Sequence, residues 1–295
     1  MKKILITGSS GFIGSALKLK LSSIGYEILE FNTKVGNISD KNIFNGYQTE
    51  GIAYVFHLAA KTYVPDSWTD TFDFYNTNVI GTENVLEFCR RKEIPLTFVS
   101  SYLYGQPEKL PISESHIIVP NNPYAHSKYL AEQLCEFYAK EFGVNTVIIR
   151  PFNAYGVGQS GKFLIPSVIR QAIAGDEIKV KDLTPRRDYI YIDDLIDALV
   201  LTMRSLKRFS VYNIGSGYSV SVKDVIDTVQ SILGTDKKVI ADNIIRKNEI
   251  NDVIADISKA KKELGWYPSL TFYDGIKRMI EYELGISHAG SANTN

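Results

Sequence analysis

The chain has 295 residues, 44% of them hydrophobic, enough apolar material for one large domain or a larger domain with a smaller lobe. Lysine plus arginine and aspartate plus glutamate both number 33, so no global field recruits nucleic acid or an anionic membrane surface. Two cysteines, Cys89 and Cys135, make no disulfide framework and have no Cys or His partner at metal-ligand spacing, so no metal is expected. The opening apolar run Ile4-Leu5-Ile6 stops at Thr7-Gly8, too short for a signal peptide or a span, and a cytoplasmic location is the default expectation.

In chain order, the first half alternates short β-rich runs with helical patterns, which predicts a parallel sheet with crossover helices. Lys3–Thr7 reads as a buried strand, followed by a glycine-rich turn and a helix to about Ile24. Glu27–Phe31 and Ala53–Leu58 read as strands, Val79–Arg91 as a helix, and Leu96–Ser100 as the next strand. Pro123 suits the first turn of a helix, where its missing N–H costs nothing. That helix is expected to reach about Phe142 before Asn145–Arg150 returns as a strand. In the more irregular second half, Leu195–Leu206, Val222–Leu233 and Phe272–Leu284 read as helices, with short strands such as Val211–Ile214 between them. The expected organisation is a doubly wound parallel α/β domain over 1–155, with returning segments near 188–215. The remainder of 156–286 forms a smaller α/β lobe over the carboxyl ends of the strands, where open α/β sheets bind ligands. Residues 287–295 carry no apolar anchor and read as a disordered tail.

Between the first strand and the first helix stands Gly8-Ser9-Ser10-Gly11-Phe12-Ile13-Gly14. Glycines let a backbone turn sharply and approach a pyrophosphate, and the helix that follows offers unpaired N–H groups at its positive end. The spacing is G-x-x-G-x-x-G, a variant of the dinucleotide fingerprint. The end of the second strand distinguishes NAD from NADP, because an acidic side chain there binds a ribose 2′-hydroxyl. Asn32 stands at that place with Lys34 close behind, a pairing that tolerates a 2′-phosphate, so NADP(H) is favoured over NAD. Glu30 is the acidic side chain nearest that place and argues the other way.

Tyr124-Ala125-His126-Ser127-Lys128 contains Y-x-x-x-K, which puts a phenol and an ammonium on one helix face. A cation there would stabilise phenolate; lowering a tyrosine pKa from about 10 to about 7 takes roughly 4 kcal/mol. Tyr124 would then serve as an acid/base at neutral pH. Ser100 and Ser101 close the preceding strand and can supply a hydroxyl to the same substrate oxygen. Tyr273 and Lys277 repeat the spacing with no neighbouring strand-end hydroxyls and read as structural, as does His126 on another helix face.

Together these features resemble the extended short-chain dehydrogenase/reductase family that acts on nucleotide sugars, and the likeness spans nearly the whole chain. Its marks are Thr7–Gly14, His57-Leu58-Ala59-Ala60, Asn78-Val79-Ile80-Gly81-Thr82, Ser100–Gly105, Asn122–Lys128 and Arg150-Pro151-Phe152-Asn153. Arg187–Asp194, Asn213–Gly217 and Leu264–Pro268 complete them. The resemblance implies a Rossmann-type fold, with Tyr124 exchanging the proton on the sugar oxygen, Lys128 binding the nicotinamide ribose and Ser100 polarising the reacting oxygen. The cofactor is implied to lie on Gly8, Ser10, Gly11, Phe12, Ile13, Gly14, Asn32, Lys34, Asn37, Ile38, Leu58, Ala59, Ala60, Thr62 and Asn78, besides Tyr124 and Lys128. The nucleotide-diphosphate sugar is implied to meet Thr62, Ser101, Tyr102, Asn153, Phe163, Leu164, Arg187, Tyr189, Arg246 and Glu249. Arginines also suit a pyrophosphate on electrostatic grounds.

Two departures narrow the expected reaction. The 4,6-dehydratases of the family carry Asp-Glu or a single Glu just after the serine or threonine, where this chain has Ser101 and Tyr102, so dehydration is disfavoured. The compact stretch from Phe31 to Ala53, with Asn32, looks more like the 4-keto-sugar reductases. The reading is an NAD(P)-dependent reductase of an NDP-4-keto-6-deoxyhexose at carbon 4; the alternative is an NDP-hexose 4-epimerase with tightly bound NAD. A cofactor-sensing regulator without turnover is a third, distant class. The resemblance also implies a homodimer packed through the helices near Val79–Arg91 and Pro123–Phe142, the second carrying the stripe Leu130, Leu134, Phe137.

Overall fold

A computed structural model describes residues 2–45, 50–205, 207–242 and 250–286. The chain runs β1 (Lys3–Thr7), α1 (Phe12–Ser23), β2 (Glu27–Phe31), β3 (Ile52–His57), α2 (Val64–Ser67) and α3 (Thr71–Tyr75). A π-helical turn, Asn76–Ile80, leads directly into α4 (Gly81–Lys92), followed by β4 (Leu96–Val99), α5 (Pro123–Glu141) and β5 (Thr146–Pro151). Then come β6 (Asn153–Tyr155), α6 (Leu164–Ala174), β7 (Glu177–Val180), β8 (Arg186–Arg187), β9 (Tyr189–Tyr191) and α7 (Ile192–Thr202). The last elements are β10 (Phe209–Ile214), β11 (Val220–Ser221), α8 (Val222–Leu233), β12 (Lys238–Ala241), α9 (Ser258–Leu264) and α10 (Phe272–Glu283).

Six strands form one parallel sheet in the order β10-β5-β4-β3-β1-β2, the core of a Rossmann-type fold. Ile4, Leu5 and Ile6 are consecutive yet all fully buried, because helices cover both faces of the sheet. Strand alternation sends Ile4 and Ile6, with Tyr54 and Phe56, toward Leu17 and Leu21 of α1 and Leu195 and Leu199 of α7. The opposite face takes Leu5, Val55 and Phe98 against Val85, Leu86 and Cys89 of α4 and Ala131, Cys135 and Tyr138 of α5. From β1 the chain goes to β2 on one side, then crosses to β3 on the other. That reversal parts the connections leaving β1 and β3 and opens a crevice at their carboxyl ends.

After β5 the chain builds three two-stranded ribbons, β6 with β9, β7 with β12 and β8 with β11, before and after returning β10 to the large sheet. Two buried carboxylates brace this region. Asp188 accepts hydrogen bonds from Ser216 N (2.6 Å), Gly217 N (3.0 Å) and Ala255 N (3.0 Å). Asp194 accepts from Ser269 N (2.9 Å) and Leu270 N (3.1 Å), while its backbone carbonyl accepts the Trp266 indole N–H at 2.9 Å. Three sequence marks, around 187–194, 213–217 and 264–268, are thus joined through these two aspartates.

Two expectations shift. The helix expected from Val79 is preceded by the π-helical turn, whose residue Asn78 is held on its side chain by the backbone of Lys61. The helix expected from Leu195 begins at Ile192, where Asp193 and Asp194 in the first turn favour a helix N-terminus. Leu206 and the tail 287–295 lie outside the described residues.

One buried ion pair ties α5 to the sheet. Arg150 donates from Nε and Nη2 to the Glu132 carboxylate at 2.9 and 2.5 Å, and from Nη1 to the Tyr104 hydroxyl at 2.8 Å. Tyr104 in turn donates to Asn213 Oδ1 at 2.6 Å. Glu132→Ala would leave a buried guanidinium without its counter-charge, so urea unfolding is expected to show a loss of about 3–5 kcal/mol. The double change Arg150→Met with Glu132→Leu is expected to lose less than Glu132→Ala alone.

Candidate active site

The three glycines of the opening turn do different work. Gly8 takes φ 72°, and a Cβ there would stand 2.7 Å from the Ala59 nitrogen, so only glycine lets β1 and β3 leave side by side. At Gly14 a Cβ would fall 2.1 Å from the Gly8 carbonyl oxygen, so this glycine seats α1 on the turn. At Gly11 a Cβ would meet Gly8 O at 3.3 Å and nothing else within 4 Å. Gly11, Phe12, Ile13 and Gly14 line a cleft at the crevice, and the first turn of α1 holds no acidic residue. A backbone open to the cleft at a helix N-terminus fits the pyrophosphate of a dinucleotide.

The cleft has a volume of about 1820 Å³. A single small-ligand site takes roughly 300–1,000 Å³, so there is room for a dinucleotide and a second ligand together. Its walls are shared by the turn, the β3 and β4 ends, the start of α5, and β7–β9 with the loop before α6.

At the β4 end, the hydroxyls of Ser100 and Ser101 are buried without a hydrogen-bond partner among the described residues. Buried hydroxyls are normally bonded, so a cleft wall with two unused ones is prepared for a polar ligand atom. Opposite them Tyr124 enters from the first turn of α5, whose N-cap Asn122 accepts the Ala125 N–H at 2.8 Å. The Phe74 ring packs edge-on against Tyr124, with centroids 6.4 Å apart. Tyr102 lines the same wall, but its hydroxyl donates to the Gly105 carbonyl at 2.5 Å.

The expected lowering of the Tyr124 pKa by Lys128 is corrected by this geometry. Burial holds the phenol above its ordinary value; the nearby Ser101 hydroxyl offsets part of the rise without forming a well-aligned hydrogen bond. Lys128 is itself buried one turn along, donates to the Val99 carbonyl at 2.6 Å and sits 3.9 Å over the Phe98 ring. Burial brings the Lys128 pKa down to about 7, so its ammonium is only part-populated at neutral pH. The resident groups therefore favour a neutral, proton-donating phenol.

The other expected residues divide as follows. Gly8, Ser10, Asn32, Asn37, Ile38, Leu58, Ala59, Ala60 and Thr62 line the cleft on the sheet side. Asn153, Phe163, Leu164, Arg187 and Tyr189 line it on the opposite side, along the segments that follow β5. Asn32 donates to Ser9 Oγ at 3.3 Å and accepts the Lys34 N–H at 3.0 Å, while Glu30 is paired with Lys18 at 3.1 Å. Lys34 is not brought to the cleft wall, because its side chain lies in an exposed turn and only its backbone touches Asn32. Asn78 is not at the wall either; it is buried behind it, fixing the Lys61 backbone. Arg246 and Glu249 lie outside the described residues. Sequence reasoning missed Tyr63, Trp68, Gln159, Lys162, Lys179 and Lys181, all on the cleft. Lys179 and Lys181 alternate along a short β-rich run, a pattern that placed both on one side. Lys162, stacked 5.2 Å over Tyr63, had no such signal.

Among the described residues no group of His, Cys, Asp and Glu is arranged to hold a metal, and no helix is long and apolar enough to cross a membrane. Residues 4–215 match the NAD dependent epimerase/dehydratase family, and the chain belongs to it. It is 30% identical to a putative UDP-glucose 4-epimerase of Methanocaldococcus jannaschii, over 95% of this chain and 97% of the relative. Against a GDP-6-deoxy-D-mannose reductase of Pseudomonas aeruginosa it is 27% identical, over 95% and 96%. Its fold superposes on the crystal structure of a UDP-glucose 4-epimerase from Thermotoga maritima with UDP-glucose at a TM-score of 0.89. That match has 29% identity and covers 96% of this chain and 99% of the other. The protein is therefore a member of an enzyme family of nicotinamide-dependent nucleotide-sugar epimerases, dehydratases and reductases.

The glycine assignments separate cleanly by substitution. Gly11→Ala is expected to leave the melting temperature near wild type while weakening dinucleotide binding by about tenfold or more, roughly 1.4 kcal/mol, in a titration. Gly14→Ala is expected to lower the melting temperature itself, since its Cβ collides with backbone.

Proposed function

We propose that this protein is an NAD(P)H-dependent reductase that converts the carbon-4 ketone of a nucleotide-diphosphate 4-keto-6-deoxyhexose into an alcohol. The observation that carries this reading is the pairing of the unused Ser100 hydroxyl with a neutral Tyr124 phenol on one cleft wall. No carboxylate follows Ser100, where Ser101 and Tyr102 stand. A reduced nicotinamide bound in the cleft supplies the hydride. Ser100 donates a hydrogen bond to the ketone oxygen, and Tyr124 gives that oxygen its proton. Asn153 and Arg187, on the cleft side opposite the glycine turn, hold the diphosphate, and Lys128 contacts the cofactor ribose. A buried ammonium brought close to neutrality suits contact with sugar hydroxyls better than it suits an ion pair.

NADPH is the proposed hydride source. At the β2 end the cleft wall presents Asn32 and no carboxylate, because Glu30 is engaged by Lys18. The alternative, a 4-epimerase using the same residues, fits the likeness to proteins named UDP-glucose 4-epimerase, just as the reductase fits the likeness to a GDP-6-deoxy-D-mannose reductase. It differs by keeping NAD bound: denaturing purified protein would then release stoichiometric NAD, whereas the reductase retains little.

We further propose a cytoplasmic homodimer packed through α4 and α5. Core-facing positions of α5 are Ala131, Cys135 and Tyr138, whereas Phe137 of the Leu130–Leu134–Phe137 stripe is 52% exposed and available to a second copy. The division into a nucleotide-binding domain over 1–155 with 188–215, and a substrate lobe from the rest of 156–286, is part of the same proposal.

Tyr124→Phe, measured by NADPH consumption against a 4-keto-6-deoxy sugar nucleotide, is expected to lower kcat by about 10²–10⁴-fold with the melting temperature unchanged. Wild-type activity would sink the reading. Because burial raises the phenol pKa above about 10, the protonated donor persists through neutral pH. The Tyr124-dependent limb of kcat for reduction should therefore fall only in alkali, as pH rises through that raised value. Asn32→Asp is expected to shift the NADPH-to-NADH preference toward NADH by about tenfold or more in kcat/KM, about 1.4 kcal/mol.

A further inference from the structure

Three marks of the sequence, Thr7, His57 and Asn78–Thr82, take no part in the chemistry proposed above, yet hydrogen bonds connect them in series. Ala59 N lies 3.2 Å from Thr7 Oγ1, Thr7 Oγ1 2.6 Å from His57 Nδ1, and His57 Nε2 3.0 Å from Thr82 Oγ1. Thr82 Oγ1 lies 2.6 Å from the Asn78 carbonyl. The Asn78 side chain accepts the Lys61 N–H at 2.9 Å and donates to the Lys61 carbonyl at 3.1 Å and to Ser127 Oγ at 2.9 Å. Ser127 Oγ donates to the Tyr124 carbonyl at 2.8 Å. Thr7, His57, Asn78, Thr82 and Ser127 are all fully buried.

Donor bookkeeping leaves one solution for the hydrogens. The Asn78 carbonyl can only accept, so Thr82 must donate to it, and the Thr82 oxygen then accepts from His57 Nε2–H. With the ring proton on Nε2, Nδ1 is an acceptor and takes the Thr7 hydroxyl proton, leaving the Thr7 oxygen to accept from Ala59 N–H. All bonds in the series are satisfied by one tautomer of a neutral imidazole. A protonated ring would put a donor at Nδ1 and displace the Thr7 proton. Burial, reinforced by the neighbouring Lys128 ammonium, brings the His57 pKa down to about 3.

We infer that His57, locked as its Nε2–H tautomer, is a positioning residue that sets the dinucleotide loop 58–62 against the N-terminus of α5, and hence the cofactor against Tyr124. The inference rests on the reading of Tyr124 as proton donor. The series runs from the loop after β3, through the ring, to the π-helical turn, and from there to the peptide of Tyr124 itself. A displacement of about 1 Å between reacting groups can cost about 10²-fold in rate, so a rigid link of this kind bears on kcat. The π-helical turn is part of the device, since it places the Asn78 side chain on Lys61 and Ser127 while its carbonyl meets Thr82.

The test uses the intact enzyme and two readouts. In ¹⁵N-histidine NMR, His57 is expected to show a protonated Nε2 and an unprotonated Nδ1, unchanged from about pH 5 to about pH 9, across the range where an ordinary histidine titrates. A ring that titrates near its usual value, or holds the proton on Nδ1, overturns the inference without touching the role of Tyr124. Thr82→Val keeps the side-chain shape and removes the hydroxyl; it is expected to lower kcat by about tenfold or more, about 1.4 kcal/mol, with the KM for the sugar nucleotide near wild type. Thr82→Ser is expected to restore it. If Thr82→Val lowers only the melting temperature while Tyr124→Phe still abolishes turnover, the link is structural and the inference fails alone. If neither substitution lowers turnover, the proposed function fails with it.

Discussion

The close passage of two strands fixes everything else in this molecule. Because β1 and β3 are neighbours whose connections leave in opposite directions, the turn at Gly8 runs so close to Ala59 that a Cβ there would stand 2.7 Å from the Ala59 nitrogen. That passage leaves a crevice at the carboxyl ends of the sheet, and every element that carries chemistry ends there. The glycine turn supplies backbone N–H groups, β4 supplies two serine hydroxyls, and α5 supplies the phenol. The segments after β5 form the far wall, and Asp188 and Asp194 tie the loops after β10 and before α10 to them.

Burial sets the chemistry of the site more than charge does. Lys128 lies beneath the reacting groups with its ammonium spent on a carbonyl and a ring, and its pKa falls to about 7. Tyr124 is left without a committed cation and stays a phenol. A phenol suits delivery of a proton to a ketone oxygen, the direction a reductase runs. Ser100 and Ser101 carry unused hydroxyls at the same wall, where a polar ligand atom would satisfy them.

The strands and helices were largely legible because their signals are local. Lys3–Thr7, Glu27–Phe31 and Val222–Leu233 have in the fold the limits that periodicity and turn residues predict. The glycine turn, Ser100 and Tyr124 could be placed together from the sequence because they sit at strand and helix ends, and all line the cleft. What escaped depends on partners far along the chain. Asp188 sits inside a mark read for its arginine, yet its own bonds reach Ser216 and Ala255. The direction of the Tyr124 pKa turns on burial and on where Lys128 points, neither of which spacing reveals. Lys34 was expected at the cofactor because it follows Asn32 closely, but it stands exposed in a turn and is not part of the cleft wall.

On the proposed function, this cleft passes a hydride from a dissociable cofactor to the sugar while Tyr124 supplies the proton. Turnover of a 4-keto-6-deoxy sugar nucleotide with NADPH deuterated at its transferable position tests it most directly, with the product read by mass spectrometry and NMR. One deuterium at carbon 4 of the sugar is expected for each nicotinamide oxidised. A product sugar formed without deuterium, with no net oxidation of the added nicotinamide, would contradict it.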